Sequence, residues 1–188
     1  MTLKLKPQIV QGDDWLQRIA RFRVEVWLLN DMIDPSSYPD GCCMEEADRT
    51  ATHIVVEIDN RLVGATRVTH HQDIYSSHNG DYYRAAGIEL EGPITIPERM
   101  VVHPDVKRKG IYRVLSDEIL RQAKKYGSQH AISECTPAAA DMLRQRGRKS
   151  LGMAPHDPRF PNTSFEWMLT DIELIAKGAA VQPVNKQD

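Results

Sequence analysis

The chain has 188 residues, which favours one domain, and its hydrophobic content of 41% is enough for a core. Lysine and arginine number 24 and aspartate and glutamate 26, so the formal charge is -2; this argues against nucleic acid as the main partner, because such domains are usually strongly basic. The sequence shows no signal peptide, no apolar run of membrane-spanning length, and three cysteines (Cys42, Cys43 and Cys135) without disulfide-framework or zinc-finger spacing. We therefore expect a cytoplasmic protein that binds no metal, no membrane and no nucleic acid.

The first predicted elements are a short strand in LKPQIVQ and a helix that ends near Leu29. Asp13 or Asp14 can cap this helix. Apolar residues recur along it at helical spacing, at Trp15, Ile19, Phe22, Val26 and Leu29. A loop over residues 30–41 and the polar connector EEADRTA follow, and then HIVVEI and RLVGATRVT predict a β-hairpin around Asp59 and Asn60.

Residues 70–93 are polar and predict a long loop, which at this length is usually functional or mobile. ITIPERMVV predicts the next strand, and Pro97 within it indicates a bulge or a broken ladder, because proline has no N–H to donate. A helix then opens at Gly110 and ends at Gly127. After it come a strand in HAISEC, a helix from Pro137 to Gly147 and a last strand in SFEWMLTDIEL. This order predicts an α/β fold, a mixed sheet with helices on both faces, as one domain over residues 1–175 with a flexible tail over 176–188.

The stretch VVHPDVKRKGIYR joins a strand, a basic loop, a glycine and a helix start. The first turn of a helix presents free N–H groups and a partial positive charge, and glycine lets the backbone approach a phosphate closely. The stretch has neither Walker spacing nor the three glycines of a dinucleotide fingerprint. It predicts a different anion site, or alternatively a solvated basic turn that caps a helix.

In this context the stretch resembles the [QR]-x-x-G-x-[GA] motif that the GNAT superfamily of N-acyltransferases carries after its fourth strand. Lys107 stands where the family has Arg or Gln, and Tyr112 where it has a second Gly or Ala. Other pieces are similar to the N-acyl-homoserine lactone synthases and N-acyl amino acid synthases: RVEVW from Arg23, EEADRTATH from Glu45, GATRV from Gly64, ERMVV from Glu98 and TPAAADMLRQRG from Thr136. Over about residues 15–172 the resemblance implies a GNAT fold with a mixed, mostly antiparallel central sheet.

The resemblance implies transfer of an acyl group from a pantetheine thioester, carried by CoA or by an acyl carrier protein, to the amine of a small molecule such as an amino acid derivative. The donor would contact Met100, Val101, Val102, Lys107, Arg108, Lys109, Gly110, Ile111, Tyr112 and Arg113. The acceptor would lie against Arg23, Trp27, Glu45, Asp48, Arg67 and Arg99. Alternatively, the charged residues of this set form an ion-pair network that fixes the loop over residues 30–51. Trp27 is then a core residue or part of the wall of the acyl pocket.

Two carboxylates are candidates for the general base. Glu98 shares a strand face with Ile96, where many family members place their glutamate, and Glu134 lies in an otherwise apolar strand. Either can instead be paired with a cation. The tyrosine that many acetyltransferases place four residues before the glycine ending the fourth helix is Leu143 here. Leu143, Tyr112 and Ile96 all depart from the family pattern. They favour a second hypothesis, a non-catalytic GNAT module that binds a CoA-like ligand or a protein partner.

Several other residues receive a less specific interpretation. His70, His71 and His78 are interpreted as loop histidines, and Cys135 as a small buried hydrophobe. The segment from His70 to Pro93 is expected to be a lid or wall of the acceptor site that orders on ligand binding. A basic rim for an acidic acyl carrier protein is predicted at Arg144, Arg146, Arg148 and Lys149, although a helix C-terminus favours cations without any partner.

Overall fold

A computed structural model describes residues 5–176 of the chain. The strands are β1 (Pro7–Val10), β2 (Thr52–Ile58), β3 (Arg61–His71), β4 (Ile94–Val102), β5 (His130–Cys135), β6 (Lys149–Met153) and β7 (Glu166–Asp171). The helices are α1 (Asp13–Leu29), α2 (Gly80–Ala85), α3 (Ile111–Tyr126), α4 (Pro137–Arg144) and α5 (Ile172–Ala176). The strands form one sheet in the order β1-β2-β3-β4-β5-β7-β6, in which only the β4–β5 pair is parallel. The predicted α/β fold with a mostly antiparallel sheet is confirmed, and residues 177–188 of the expected tail lie outside the described part.

Helices cover both faces of the sheet, as the alternation along β2 shows. Val55 packs with Phe22 of α1, whereas Ile54 packs on the opposite face with Leu115 of α3. Gly64 of β3 allows α3 to begin directly against the sheet, because a Cβ at this position would lie 2.5 Å from Ile111 Cγ2. The start of α3 is therefore fixed by a close backbone approach.

The sheet opens between β4 and β5. These strands pair only at Ile94 with His130 and at Thr95 with Ala131, although β4 continues to Val102. Pro97 lies just beyond the last pair, and its missing N–H suits a strand that leaves its neighbour. The bulge expected at Pro97 lies elsewhere, because Pro97 pairs regularly with Val68 and the extra residue of β4 falls between Glu98 and Val101, where Arg99 has a φ of 51°.

Several boundaries differ from the sequence predictions. Gly12 caps α1 and no side chain does so, since Asp13 and Asp14 already lie in its first turn; Leu29 is exposed. The helix α4 ends at Arg144 rather than Gly147, and Gly147 makes a turn with a φ of 75°.

Two chain segments also have a different secondary structure. The strand β6 was not predicted, and residues 172–174, the end of the predicted last strand, belong to the helix α5. The long loop predicted over residues 70–93 is wrong, because a 3₁₀ turn and α2 occupy part of it. Buried Tyr83 of α2 packs against Trp167 with ring centroids 5.3 Å apart, so part of this segment is packed against the sheet.

Candidate active site

A cavity crosses the sheet where β4 leaves β5, and it encloses about 1080 Å³ of empty space including its open mouth. On the α1 face its wall is apolar and consists of Trp27, Met32, Phe160 and Phe165. On the α3 face the wall consists of Tyr112, Ser116, Ile119, Leu120, Ala139 and Leu143. The two strands contribute Pro97, Glu98, Arg99 and Met100 from β4 and Ser133, Glu134 and Cys135 from β5. The cavity thus brings both candidate bases to the walls of one space.

Next to this cavity lies a buried network of ion pairs. Arg23 donates two hydrogen bonds of 2.8 Å to the Asp48 carboxylate. Arg67 Nη1 lies 2.6 Å from Glu45 Oε2 and 3.4 Å from Asp48 Oδ1, and its Nε donates to Glu98 Oε2 at 3.1 Å. Buried charges are stable only when they are paired in this way. The charged residues predicted for the acceptor site therefore do come together, and their contacts are with one another.

Glu45 connects this network to a coil segment that the sequence did not indicate. Its carboxylate accepts hydrogen bonds from Arg99 at 3.0 and 2.8 Å and from Arg159 Nη1 at 2.9 Å. Arg159 is also paired with Asp157 at 2.7 Å. Burial alone would raise the pKa of Glu45, but the bonds from Arg99 and Arg159 and the charge of Arg67 hold it well below its usual range. The carboxylate is therefore ionised and fixed, and it holds Arg99 against the cavity.

Glu98 is surrounded by hydrogen-bond donors. Besides Arg67, its Oε1 lies 2.9 Å from His78 Nε2 and 3.3 Å from Asn79 Nδ2. Burial favours the neutral acid, but the hydrogen bond with His78 and the charge of Arg67 outweigh it, and the pKa of Glu98 is lowered. Glu98 is thus an anion with a weak tendency to hold a proton.

Glu134 lies on the other side of the opening in a different environment. Its side chain reaches into the cavity, and Trp167 Nε1 donates to its Oε1 at 3.2 Å. Partial desolvation there raises the pKa of Glu134, against the opposing effects of Trp167 and Arg99. Of the two candidate bases, Glu134 is the one whose pKa moves toward neutrality.

The predicted anion loop follows β4 and ends at α3. Arg108 and Gly110 both have left-handed backbone conformations, with φ of 68° and 85°. The surface at Gly110 is open, because the nearest atom to a Cβ there would be Leu5 Cδ1 at 3.9 Å. Arg108 and Lys109 make no ion pair with any described residue, whereas Lys107 donates to Asn30 Oδ1 at 3.1 Å. Open backbone and unpaired cations at the start of a helix fit a phosphate.

Among the residues predicted to contact the donor, two side chains line the cavity, those of Met100 and Tyr112. Val101 and Ile111 are core residues, so only their backbone can contact a ligand. Burial and the neighbouring Cys135 raise the pKa of Tyr112 to about 12, so its hydroxyl is protonated. Burial and Glu134 likewise raise the pKa of Cys135 to about 12, in agreement with an inert thiol.

The four cations at the end of α4 and just beyond it differ in their contacts. Arg144 is paired with Asp141 at 2.8 Å and with Glu166 at 2.7 Å. Arg148 lines the cavity, and the one hydrogen bond of its side chain among the described residues is a 3.4 Å contact with the Arg146 carbonyl. Burial and the charge of Arg146 lower the pKa of the Arg148 guanidinium.

Two further findings concern metals and membranes. Within residues 5–176 no group of three or more His, Cys, Asp or Glu side chains is placed to hold a metal ion. His70 is bonded to Thr95 and His71 to Thr69, while His78 contacts Glu98. No helix in the same range is long and apolar enough to cross a membrane.

Comparison with known proteins gives a family match and several structural neighbours. The model of the acetyltransferase (GNAT) family matches residues 14–147. No curated protein sequence matches the chain.

The structural neighbours include acyl-transferring synthases. FeeM, an N-acyl amino acid synthase from uncultured soil microbes, has a TM-score of 0.67 and 11% identity over 90% of this chain and 92% of its own. The acyl-homoserine lactone (AHL) synthase LasI has a TM-score of 0.68 and 13% identity over 98% of both chains. BjaI, a CoA-dependent acyl-homoserine lactone synthase solved with SAM and isopentyl-CoA, has a TM-score of 0.62 and 14% identity over 90% of this chain and 84% of its own. At these identities the similarity establishes the fold alone.

Proposed function

Because the chain belongs to the acetyltransferase (GNAT) family, we propose that it is an N-acyltransferase that acts on a small amine such as an amino acid derivative. Its donor is a pantetheine thioester, carried by CoA or by an acyl carrier protein. The observation that carries this proposal is the cavity that crosses the sheet between β4 and β5, with Glu98 and Glu134 in its walls. A thioester entering from the α3 face meets an amine from the α1 face at this crossing, which supplies rate through proximity.

The donor is held by backbone and charge. The N–H groups at the start of α3 and the exposed side chains of Arg108 and Lys109 bind the phosphates. Met100 of β4 and Tyr112 of α3 contact the arm of the donor in the cavity. These contacts are common to CoA and to a carrier-bound phosphopantetheine, so both donors stay within the proposal.

The chemical step is an attack of the amine nitrogen on the thioester carbonyl. The C–N bond forms, the C–S bond breaks, and the sulfur leaves as a thiolate, which is a good leaving group at its ordinary pKa even though Leu143 supplies no acid. The extra residue of a bulge is left out of the ladder, so the backbone around Arg99 offers an N–H to the developing oxyanion. The ammonium proton passes to a carboxylate of the cavity wall.

For the acceptor and the acyl chain we propose chemical classes rather than single compounds. Trp27, Met32, Phe160 and Phe165 give the α1 side an apolar wall that suits an acyl chain or the apolar part of an amine. FeeM is named for amino acid acylation and BjaI was solved with SAM, so amino acids and SAM are the first acceptors to test.

A non-catalytic module is the second candidate, and a specific observation favours it. The Tyr112 ring projects into the cavity where the family keeps glycine or alanine, and Leu143 replaces the usual tyrosine. Such a chain would bind a CoA-like ligand without consuming it.

The test combines calorimetry with thioester consumption. The protein is titrated with CoA, and then incubated with isopentyl-CoA, octanoyl-CoA or octanoyl carrier protein and each of the twenty amino acids or SAM, with thiol release and acylated product as readouts. We expect release that depends on the amine. CoA binding without release from any pair would favour the module, and the absence of both CoA binding and release from the octanoyl carrier protein would contradict both.

Two charge-reversal double variants test whether CoA binds at the predicted anion loop. Replacing Lys107 and Lys109 by Glu should weaken CoA binding by about tenfold or more, because charge-assisted contacts to phosphate are lost. The matched control reverses the charges of Lys124 and Lys125, which are exposed at the C-terminal end of α3, whereas Lys107 and Lys109 precede its N-terminal end. Equal effects of the two double variants would show a general charge effect and remove the loop from the site.

A further inference from the structure

Glu98 connects the cavity to the protein surface through a histidine. The Glu98 side chain is 8% exposed and forms part of the cavity wall, whereas His78, at 2.9 Å from its Oε1, is 38% exposed. Arg67 and Asn79 occupy the remaining hydrogen-bonding positions of the carboxylate. Of these three partners only the imidazole has a ring nitrogen that can accept a proton.

This arrangement bears on the proton that the amine must lose. A carboxylate with a lowered pKa holds a proton poorly, and the Arg67 guanidinium is already protonated, so it cannot take one up. A proton on Glu98 therefore passes on readily to an acceptor in contact with it. His78 is the group in contact with Glu98 that can accept it and also reach bulk water.

We propose that His78 is the proton outlet of the site: the amine proton passes to the Glu98 carboxylate, crosses the 2.9 Å contact to His78, and leaves to bulk water. This inference rests on the proposed function. In the balanced step the amine nitrogen loses one proton to Glu98, His78 in its Nδ1–H tautomer takes that proton at Nε2, and the ring releases the Nδ1 proton to water, which leaves Nε2–H facing the anionic carboxylate. Glu98 then acts as the group that touches the substrate, and His78 as a positioning and relay residue.

Other ionisable groups surround the Glu98–His78 pair. They are Arg67 and His71 on β3, Arg99 on β4, Tyr83 on α2 and Glu134 on β5. His71 is bonded to Thr69 and has no hydrogen bond or ion pair with Glu98, although it interacts electrostatically with both Glu98 and His78. It is therefore the control for loss of a nearby imidazole without loss of the 2.9 Å contact. Glu134 is the competing base, and its use would make His78 dispensable.

The kinetic test compares His78→Ala with His71→Ala, using isopentyl-CoA and the amine that it acylates fastest. The relay predicts that kcat of His78→Ala falls by about tenfold to a hundredfold, in the range of one proton-transfer group, while KM for isopentyl-CoA is unchanged. The acid limb of the pH–rate profile should flatten, and added imidazole should restore part of kcat. His71→Ala should keep the wild-type profile.

A second measurement does not depend on turnover. The ¹³C signal of the Glu98 carboxyl group is titrated in the wild type and both variants; its pKa should rise in His78→Ala and change less in His71→Ala, which has lost no contact with Glu98. An unchanged Glu98 titration in His78→Ala, or a wild-type pH–rate profile, would overturn the outlet alone. Absence of thioester consumption with every amine would overturn the proposed function together with it.

Discussion

The buried pair of Arg23 and Asp48 gives the sharpest test of what holds the acceptor side together. Both side chains are 1% exposed, and two hydrogen bonds of 2.8 Å join them. Asp48→Ala leaves the Arg23 guanidinium buried without a counterion, and it also removes the acceptor for the Glu45 N–H at 2.8 Å. Breaking one partner of a buried pair costs about 3–5 kcal/mol, so we expect the free energy of unfolding to fall by about that amount.

A surface pair of the same length provides the control. Arg84 and Asp81 are joined at 2.7 Å, but their side chains are 59% and 98% exposed. Water and salt screen such a pair, so Asp81→Ala should leave the denaturation curve unchanged within error. The two variants therefore separate the effect of burial from that of distance.

The assay is urea denaturation followed by circular dichroism, with the double variant Arg23→Met, Asp48→Leu as the third member. Because removing both charges abolishes the uncompensated ion, the double variant should recover much of the loss. If Asp48→Ala were no more destabilising than Asp81→Ala, the network would not hold residues 30–51 in place. Its charges would then be explained by the acceptor alone.

Two further predictions concern pH and the donor. The pKa values of Glu45 and Asp48 are lowered in the folded state, so their contribution to stability is complete above the unfolded-state values near ~4 and is lost as pH falls through the folded-state values. Urea midpoints should fall below about pH 4, and in this acid range less steeply in Glu45→Gln; equal slopes there would contradict this. Arg148→Gln should weaken CoA binding in calorimetry by about tenfold, because Arg148 lines the cavity and has no carboxylate partner among residues 5–176. Arg144→Gln, whose arginine is already paired with Asp141 and Glu166, is the control, and an equal loss there would refute the reading.

The sequence predicted best those features that depend on neighbouring residues. Gly110 and Gly127 flank α3 in left-handed conformations, as a glycine before and after an amphipathic run indicates. Asp59 and Asn60 both have positive φ, which is the backbone of a tight hairpin turn. In these places a few adjacent residues determine the backbone, so a local pattern is sufficient.

The partners in the site could not be predicted in the same way. Arg159 lies in a coil segment and bonds Glu45 across 114 residues of sequence, and no periodicity or motif marks it. The segment around His78 appeared polar and was interpreted as a loop, although Tyr83 and Ile74 within it are buried against the sheet. Two apolar anchors among many polar residues give too weak a pattern to show that the segment packs.

The bulge in β4 accounts both for the left-handed backbone of Arg99 and for the position of its side chain at the cavity wall. In the sequence, Pro97 indicates a position in β4 that has no backbone N–H for the ladder. The position of the extra residue is instead set by pairing with β3, since Arg67 pairs with Glu98 and Ala65 with Val101. Arg99 therefore takes a left-handed conformation, which costs a residue with a side chain about 1 kcal/mol or more. Its two hydrogen bonds to Glu45 offset that cost, and the same bonds hold its side chain at the cavity wall. Glu45 and Arg99, both predicted to contact the acceptor, thus form an ion pair that stabilises the backbone conformation on which the proposed oxyanion site depends.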